Sequence, residues 1–317
     1  MLTAVDTASA LPGDAGGHAA RRHPDEDMLD DATPCRILHP RECLPRRPAR
    51  TPAWEPRRDR RDAGHPPLPR HALEGWHSPR LASAADLGQM RINFNYRNYF
   101  TTAAGYGEKP RRAQYFEGPY ETALWRVLEM TPTIVDYQFQ PIQMLWDTSD
   151  GRTVHYTTDA IYATDAGEVV VEEVKATQAY FDRSDTRDLM ELFETRILTT
   201  GARFVRRTSR RIAEPTYWRT VKDAFDDRRT AYGEADVDRA HEAIVRVGGT
   251  APLGAVIEAV GGPAREAHAK LNAMMVARTV AIDLSAPPMG DTEVTIPAPP
   301  ADPDALRTFL RSLAVQP

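Results

Sequence analysis

Apolar positions in this chain follow two periods, and the switch between them marks out the elements. From Pro119 to Met130 the spacing is helical: Leu124, Trp125, Val127 and Leu128 form one apolar face, Pro119 suits a first helical turn, and Thr131-Pro132-Thr133 stops the helix. The pattern then turns strand-like. Ile134 to Trp146, Thr153 to Tyr162 and Glu168 to Lys175 are rich in β-branched and aromatic residues, and the turn signals Ser149-Asp150-Gly151 and Asp165-Ala166-Gly167 separate them. They predict an antiparallel meander. A second amphipathic helix is predicted over 184–200, with Leu189, Leu192, Phe193 and Ile197 on one face, Ser184 as N-cap and Gly201 as its end. Ala202 to Arg207 reads as a fourth strand and Pro215 to Arg229 as a further helix. Order begins near Met90, and the many aromatics of 91–116 fix no element.

The segment 235–297 reads as a separate unit. Val237, Ala240, Ile244 and Val247 give one short helix, Leu253, Val256, Ile257 and Val260 a second, and Ala267, Leu271, Met274 and Met275 a third. Two short strands follow near 279–284 and 292–296, joined by Pro287-Pro288-Met289-Gly290. Three helices and a two-stranded hairpin outline a winged helix. The residues after 297 form a tail that ends in a short helix from Asp304 to Leu313. The predicted fold class is therefore an α/β core over 90–231, a mixed sheet flanked by helices, followed by a winged-helix-like domain over 235–297 and a tail over 298–317.

Residues 1–89 differ from the rest. They hold 12 of the 26 prolines and 13 arginines, with no lysine and no sustained apolar period. Proline at this density breaks helix and central strand alike, so the stretch reads as a disordered arm or as an upstream extension before a natural start at Met90. A DNA-seeking role for the arm meets an objection, since 13 acids offset its arginines.

Composition narrows the class. The 317 residues suffice for one large domain or two ordinary ones, and no apolar run is long enough to cross a bilayer. No secretory pattern opens the chain, which is read as cytoplasmic. Cys35 and Cys43 are too few for a disulfide framework, and with His39 they fit no common zinc spacing; both are taken as incidental. The net charge of −5 does not advertise nucleic-acid binding, so charge has to be read by region.

Three acids and a lysine carry candidate chemistry. Glu173 and Lys175 stand two apart on one strand and share a face of the sheet, while Glu172 and Val174 point the other way. Asp159, placed on the preceding strand, can meet Glu173 at one metal ion. Hard carboxylate oxygens suit Mg²⁺, with Mn²⁺ able to substitute; such an ion polarises a phosphate and acidifies a bound water, and a lysine beside it stabilises the developing charge. Glu121, one helix earlier, can reach the same cluster. An Asp on one strand and a Glu-x-Lys on the next also occur on solvated sheet faces. Here, however, Glu172 and Glu173 interrupt a strongly apolar strand directly before the only lysine over a long stretch, and carboxylates so placed need a partner or a metal.

At these residues the chain resembles a known family. Phe116-Glu117-Gly118-Pro119-Tyr120-Glu121, Gln140-Pro141, Thr157-Thr158-Asp159, Val171-Glu172-Glu173-Val174-Lys175 and Gly201-Ala202-Arg203-Phe204-Val205 are similar to the N-terminal domain of TnsA-like endonucleases, the nuclease subunits of heteromeric transposases. The resemblance covers about 110–212, and the three-helix unit is similar to the winged-helix domain of the same subunits. It implies a restriction-endonuclease-like PD-(D/E)xK core that cuts the 5′ ends of a transposon. Implied partners are transposon-end DNA, an RNase H-like transposase that cuts and joins the 3′ ends, and an AAA+ ATPase regulator. The resemblance carries catalytic roles onto Glu121, Asp159 and Lys175, puts Glu173 at the position two before the lysine, and adds the backbone carbonyl of Val174 as a metal ligand. The proline usual before the strand Asp is Thr158 here, and the N-terminal arm has no counterpart.

Supporting residues are weighed beside these. Gln140, before Pro141, belongs at the active face by resemblance or is a plain edge position. His155 shares a strand face with Asp159 but reads better as an ordinary strand residue. Arg203, Arg206, Arg207, Arg210 and Arg211 form the densest basic stretch of the ordered chain, suited to DNA phosphates or to a solvated face beside an acidic helix. The unit 235–297 carries 8 acids against 5 Lys and Arg, which argues against strong DNA binding, although Arg265, His268 and Lys270 could enter a groove and a protein partner is at least as good a fit. Competing with the transposition endonuclease are a stand-alone restriction or repair nuclease and a catalytically silent adaptor that binds DNA or a transposase.

Overall fold

A computed structural model describes residues 79–91, 102–147 and 153–314. The arm up to residue 78, with Cys35, Cys43 and His39, lies outside the described residues, as do Phe94, Tyr96, Tyr99, Phe100 and the Ser149-Asp150-Gly151 turn. The fold is mixed α/β with several small sheets, and among the described residues no helix is long and apolar enough to cross a membrane.

Order starts earlier than expected. Strand β1 (Arg80–Ser83), inside the segment read as an arm, pairs antiparallel with β5 (Ile142–Asp147). A hairpin follows, β2 (Thr102–Gly107) and β3 (Arg112–Glu117), which the aromatic spacing did not reveal. Its strand Thr-Ala-Ala-Gly-Tyr-Gly carries little bulk for a reason. A Cβ on Gly105 would sit 2.3 Å from the Trp125 ring, so the indole of helix α1 (Pro119–Met130) lies directly on the hairpin backbone.

The long apolar runs are strands, but each is broken once. Ile134 to Trp146 becomes β4 (Ile134–Phe139) and β5; Thr153 to Tyr162 becomes β6 (Thr153–Thr157) and β7 (Ala160–Thr164). The breaks face each other. Gln140 takes φ +48°, its backbone N–H donates to the Asp159 carbonyl at 2.9 Å, and the Thr158 N–H donates to the Ile142 carbonyl at 3.1 Å. Antiparallel pairing thus continues through the bend while the strands pass from one sheet to another. One sheet has the order β4-β7-β8-β9, the other β1-β5-β6. Strand β8 (Val169–Lys175) pairs antiparallel with β7 and parallel with β9 (Arg203–Thr208), as a connection through helices requires.

That connection is α2 (Gln178–Asp182) and α3 (Ser184–Leu198). Arg183 is the N-cap of α3 and Ser184 its first helical residue, a one-place correction. Gly201, at φ +83°, follows the end of the helix as expected. A single turn, α4 (Ser209–Ile212), precedes α5 (Pro215–Asp226).

The C-terminal unit has α6 (Glu234–Arg246), α7 (Leu253–Val260) and α8 (Ala264–Val276), with a three-stranded sheet of order β10-β12-β11. Strand β10 (Thr250–Pro252) joins the expected pair β11 (Ala281–Ile282) and β12 (Glu293–Thr295). The unit does not stand apart. Helix α8 packs against α1 and α5, and Ala267, Leu271, Met274, Met275 and Val276 are buried in a core shared with α1. The segment after 297 is no free tail either. Ala301 N–H donates to the Asp165 carbonyl at 2.7 Å, and α9 (Ala305–Leu313) buries Ala305, Leu306 and Leu310 against β1, β7 and β8. A second core thus forms on the other face of the β8 sheet, with Val171, Met190, Phe193 and Phe204.

Candidate active site

The site forms where the two strand breaks meet the end of β8. Asp159 is not within a strand, as the sequence suggested, but in the bend between β6 and β7. That placement has a use. Pairing between β7 and β8 ends at Ala160 opposite Glu172, so the Val174 N–H lies beyond the last residue of β7. The Asp159 carboxylate supplies its acceptor instead, at 2.8 Å from Oδ2. A buried strand N–H needs such a partner. The Val174 side chain is buried on the α1 face, while Glu173 and Lys175 share the opposite one, so the predicted alternation holds.

Lys175 gathers the acids. Its Nζ pairs with Glu173 Oε1 and lies 3.6 Å from Asp159 Oδ2. The Glu173 side chain is 1% exposed, and its second oxygen, Oε2, is buried with no hydrogen-bond partner. Burial first, then the nearby Asp159 carboxylate, pushes the Glu173 carboxyl up to about 8, against the pull of Lys175. Burial alone would lower the Lys175 ammonium, yet Asp159 and Glu173 outweigh it and hold the lysine above its ordinary value.

Glu121 stands in the first turn of α1, where the helix dipole favours a carboxylate. Its Oε2 accepts from the Glu117 N–H at 2.9 Å and from Gln140 Nε2 at 3.4 Å. Burial, with Asp159 nearby, raises its pKa well above the glutamate norm. Gln140 therefore belongs to the site: it touches Glu121 by its side chain and holds the Asp159 carbonyl by its backbone. Arg91 joins from one side, 3.0 Å from Glu117 Oε2. His155 is exposed on β6, cut off from Asp159 by the strand break.

The structure brings together Asp159, Glu173, Lys175 and, one step away, Glu121 with Gln140. Among the described residues it contains no group of three or more His, Cys, Asp or Glu side chains arranged to hold a metal. The donor set for a cation is thus two carboxylates, Asp159 and Glu173. The orphaned buried Oε2 of Glu173 is the feature that fits one, since a buried oxygen without a donor is stabilised by a positive charge.

The arginine cluster divides. Arg203 pairs with Glu168 at 3.0 Å and Arg206 with Glu194 at 2.6 Å. Arg207 pairs with Glu172, which is fully buried on the α1 face; the second contact, Nη2 to Oε2, is 3.3 Å. Arg210 and Arg211 differ in position. They lie half-buried on α4, which starts just past Thr208, the residue in register with Lys175, and Ser209 Oγ donates to the Ala176 carbonyl at 2.5 Å. These two arginines sit at the lysine end of the sheet.

On α8 two of the three basic residues are ion-paired. Arg265 donates to both Asp227 oxygens at 2.8 and 2.6 Å, Lys270 lies 3.4 Å from Asp236 and from Glu266, and His268 is half-buried. The other face of α8 lies in the core.

Tyr156 is the residue that sequence reasoning missed. Its ring packs on Phe193 of α3 and its hydroxyl lies 3.9 Å from Met190 Sδ, while burial and the Glu173 and Asp159 charges hold that hydroxyl well above its ordinary value. The available signal was its place three residues before Asp159, on a strand that leads into the site. Matched against protein-family models and against curated proteins, the chain finds no counterpart.

Proposed function

We propose that the chain is a Mg²⁺-dependent DNA endonuclease of the restriction-endonuclease-like type. Its setting would be that of TnsA-like subunits, cutting transposon 5′ ends beside an RNase H-like transposase under an AAA+ ATPase regulator. The observation that carries the reading is the meeting of Asp159, Glu173 and Lys175 at the end of β8, with Glu173 Oε2 buried and unpartnered. Asp159, Glu173 and the Val174 carbonyl would hold the cation. When bound, magnesium supplies a Lewis acid for the scissile phosphate and lowers the pKa of water, with Mn²⁺ able to replace it.

The chain's own residues would do the rest. Lys175, released from the carboxylates, faces the phosphate and stabilises charge that develops on it. Asp159 is held in place by the Val174 N–H. Glu121, kept in orientation by the Glu117 N–H and Gln140, offers a second carboxylate for a water or for the leaving group's side. Arg210 and Arg211 are the members of the cluster placed at the lysine end of the sheet, where DNA backbone would meet the site. The C-terminal unit, with the chain order of a winged helix, buttresses α1 rather than reading a groove through α8.

The test is calorimetry of Mn²⁺ binding to the full chain and to an Asp159→Ala/Glu173→Ala double variant, followed by cleavage of plasmid DNA with the partner transposase. Binding lost in the variant, together with loss of nicking, supports the assignment. If both proteins bind alike, the centre is not here, and a silent DNA- or transposase-binding adaptor becomes the better reading.

A further inference from the structure

We infer that Arg91 is a substrate-positioning residue that gives up Glu117 to hold a DNA phosphate beside the one that is cut; this rests on the nuclease reading above. The guanidinium stands at the end of a strap, residues 84–91, that leads from β1 to the site. Arg112 Nη1 donates to the Leu87 carbonyl at 3.1 Å, and the Met90 N–H donates to the Gln140 carbonyl at 2.8 Å. Between them the Gln89 amide takes both backbone groups of Tyr115, accepting from its N–H at 2.9 Å and donating to its carbonyl at 3.0 Å. A side chain thus does for β3 what a neighbouring strand would. These bonds fix where Arg91 begins, next to Gln140, which holds both Asp159 and Glu121.

Closing the edge of β3 accounts for Gln89 and Met90 but not for Arg91. Its Nη2 meets Glu117 Oε2 at 3.0 Å, and Glu117 Oε1 is buried without a hydrogen-bond partner. The guanidinium therefore holds one carboxylate oxygen, not the two that its fork can take. Nor does the pair serve Glu121. That carboxylate accepts from the Glu117 backbone N–H, which β3 positions whatever side chain the residue carries. The Arg91 side chain is 43% exposed, and an ion pair this open to water contributes little to stability. Glu117 can therefore be exchanged for another anion.

DNA needs such a cation here. Asp159, Glu173 and Glu121 crowd the site with carboxylates, and Lys175 pairs with the first two. A bound divalent ion and Lys175 act at the scissile phosphate; its neighbours along the strand have to be met at the rim. An arginine takes phosphate through the same fork that it offers to a carboxylate. Because the backbone before Arg91 is tied to Gln140, and Gln140 to Asp159, a phosphate on Arg91 is held in register with the metal ligand. Contacts of this kind place a duplex without reading its sequence.

Arg91→Gln tests this in the full chain, by anisotropy of a fluorescent DNA duplex with Ca²⁺ as the ion, since Ca²⁺ also takes oxygen ligands. The slope of log affinity against log salt should be shallower by about 0.9, the share of one phosphate, with Mn²⁺ affinity and melting temperature as in wild type. Arg91→Lys should keep the wild-type slope. Glu117→Gln removes the carboxylate that competes for Arg91 and should bind duplex at least as tightly as wild type. An unchanged slope in Arg91→Gln would mean that Arg91 touches no phosphate, and the nuclease reading would stand without it. If Glu117→Gln weakens binding as much as Arg91→Gln does, the ion pair is structural and Arg91 does not hold DNA. If wild type binds no duplex at about 50 mM salt, DNA is not the substrate, and the nuclease reading falls together with this role for Arg91.

Discussion

The backbone N–H of Val174 donates to Asp159 Oδ2 at 2.8 Å, two residues past the point where β7 stops pairing with β8. That same oxygen completes the sheet and lies 3.6 Å from Lys175 Nζ. The two roles separate by substitution. Asp159→Asn keeps an acceptor for the N–H, so its urea midpoint should stay near wild type while Mn²⁺ binding is lost. Asp159→Ala loses both, and a charge-assisted bond of this kind contributes about 1.5–3 kcal/mol. Equal midpoints for the two variants would sink this account.

Lys175 neutralises the acids that would bind a cation. Lys175→Met should therefore bind Mn²⁺ at least as tightly as wild type in the free protein, and about threefold or more tighter if the ion pair is the main competitor. DNA cleavage should fall by about a hundredfold, the scale for removing one transition-state donor. Weaker Mn²⁺ binding in this variant would mean that the lysine supports the metal site rather than competing for it.

Glu173 sets a pH dependence. Its carboxyl titrates near 4.5 in an unfolded chain and near 8 when folded. Between these values the folded state holds the extra proton, so the stability that Glu173 contributes is full below the lower value and lost as pH rises through the upper one. A cation must displace that proton. Mn²⁺ affinity should rise about tenfold per pH unit from pH 6 and flatten above 8, as one released proton requires. A flat profile, or one that persists in Glu173→Gln, would place the linked proton elsewhere.

Arg207 is expected to stabilise the fold rather than to bind DNA. Removing it strands Glu172, which is fully buried, and breaking one side of a buried pair costs about 3–5 kcal/mol. Chemical denaturation of Arg207→Ala should show that loss. The double change Glu172→Leu/Arg207→Met should recover most of it, with Mn²⁺ binding intact. DNA affinity that falls in Arg207→Ala and stays low in the double variant would return the arginine to the DNA interface.

Much of this was legible in sequence where the signal is local. Helix α1 has the predicted bounds because Pro119 opens it and Thr131-Pro132 closes it, and the alternation in β8 put Glu173 and Lys175 on one face. The strand breaks were not read, because strand-forming residues resume at once after Gln140-Pro141 and after Thr157-Thr158-Asp159. They decide where Asp159 sits and why His155 is excluded. Long-range pairing was equally hidden. Glu172 and Arg207 are 35 residues apart, and nothing in the text Arg-Arg at 206–207 distinguishes an arginine held by Glu194 from one held by a buried glutamate on the opposite face. The period of α8 marked Ala267, Leu271, Met274 and Met275 as buried, but it could not say that α1 and α5 would help to cover them.

The contact of β1 with the far end of the chain bears on synthesis. Ser83 Oγ donates to the Leu310 carbonyl at 2.6 Å, and Ser83 also bridges to Ala314. A ribosome makes β1 more than two hundred residues before it makes α9, and domains otherwise tend to fold as they emerge. The second core, which backs Glu173's face of the sheet, stays open to water throughout that interval. A nascent chain that has not yet made α9 therefore lacks the helix that covers the second core on Glu173's face of the sheet.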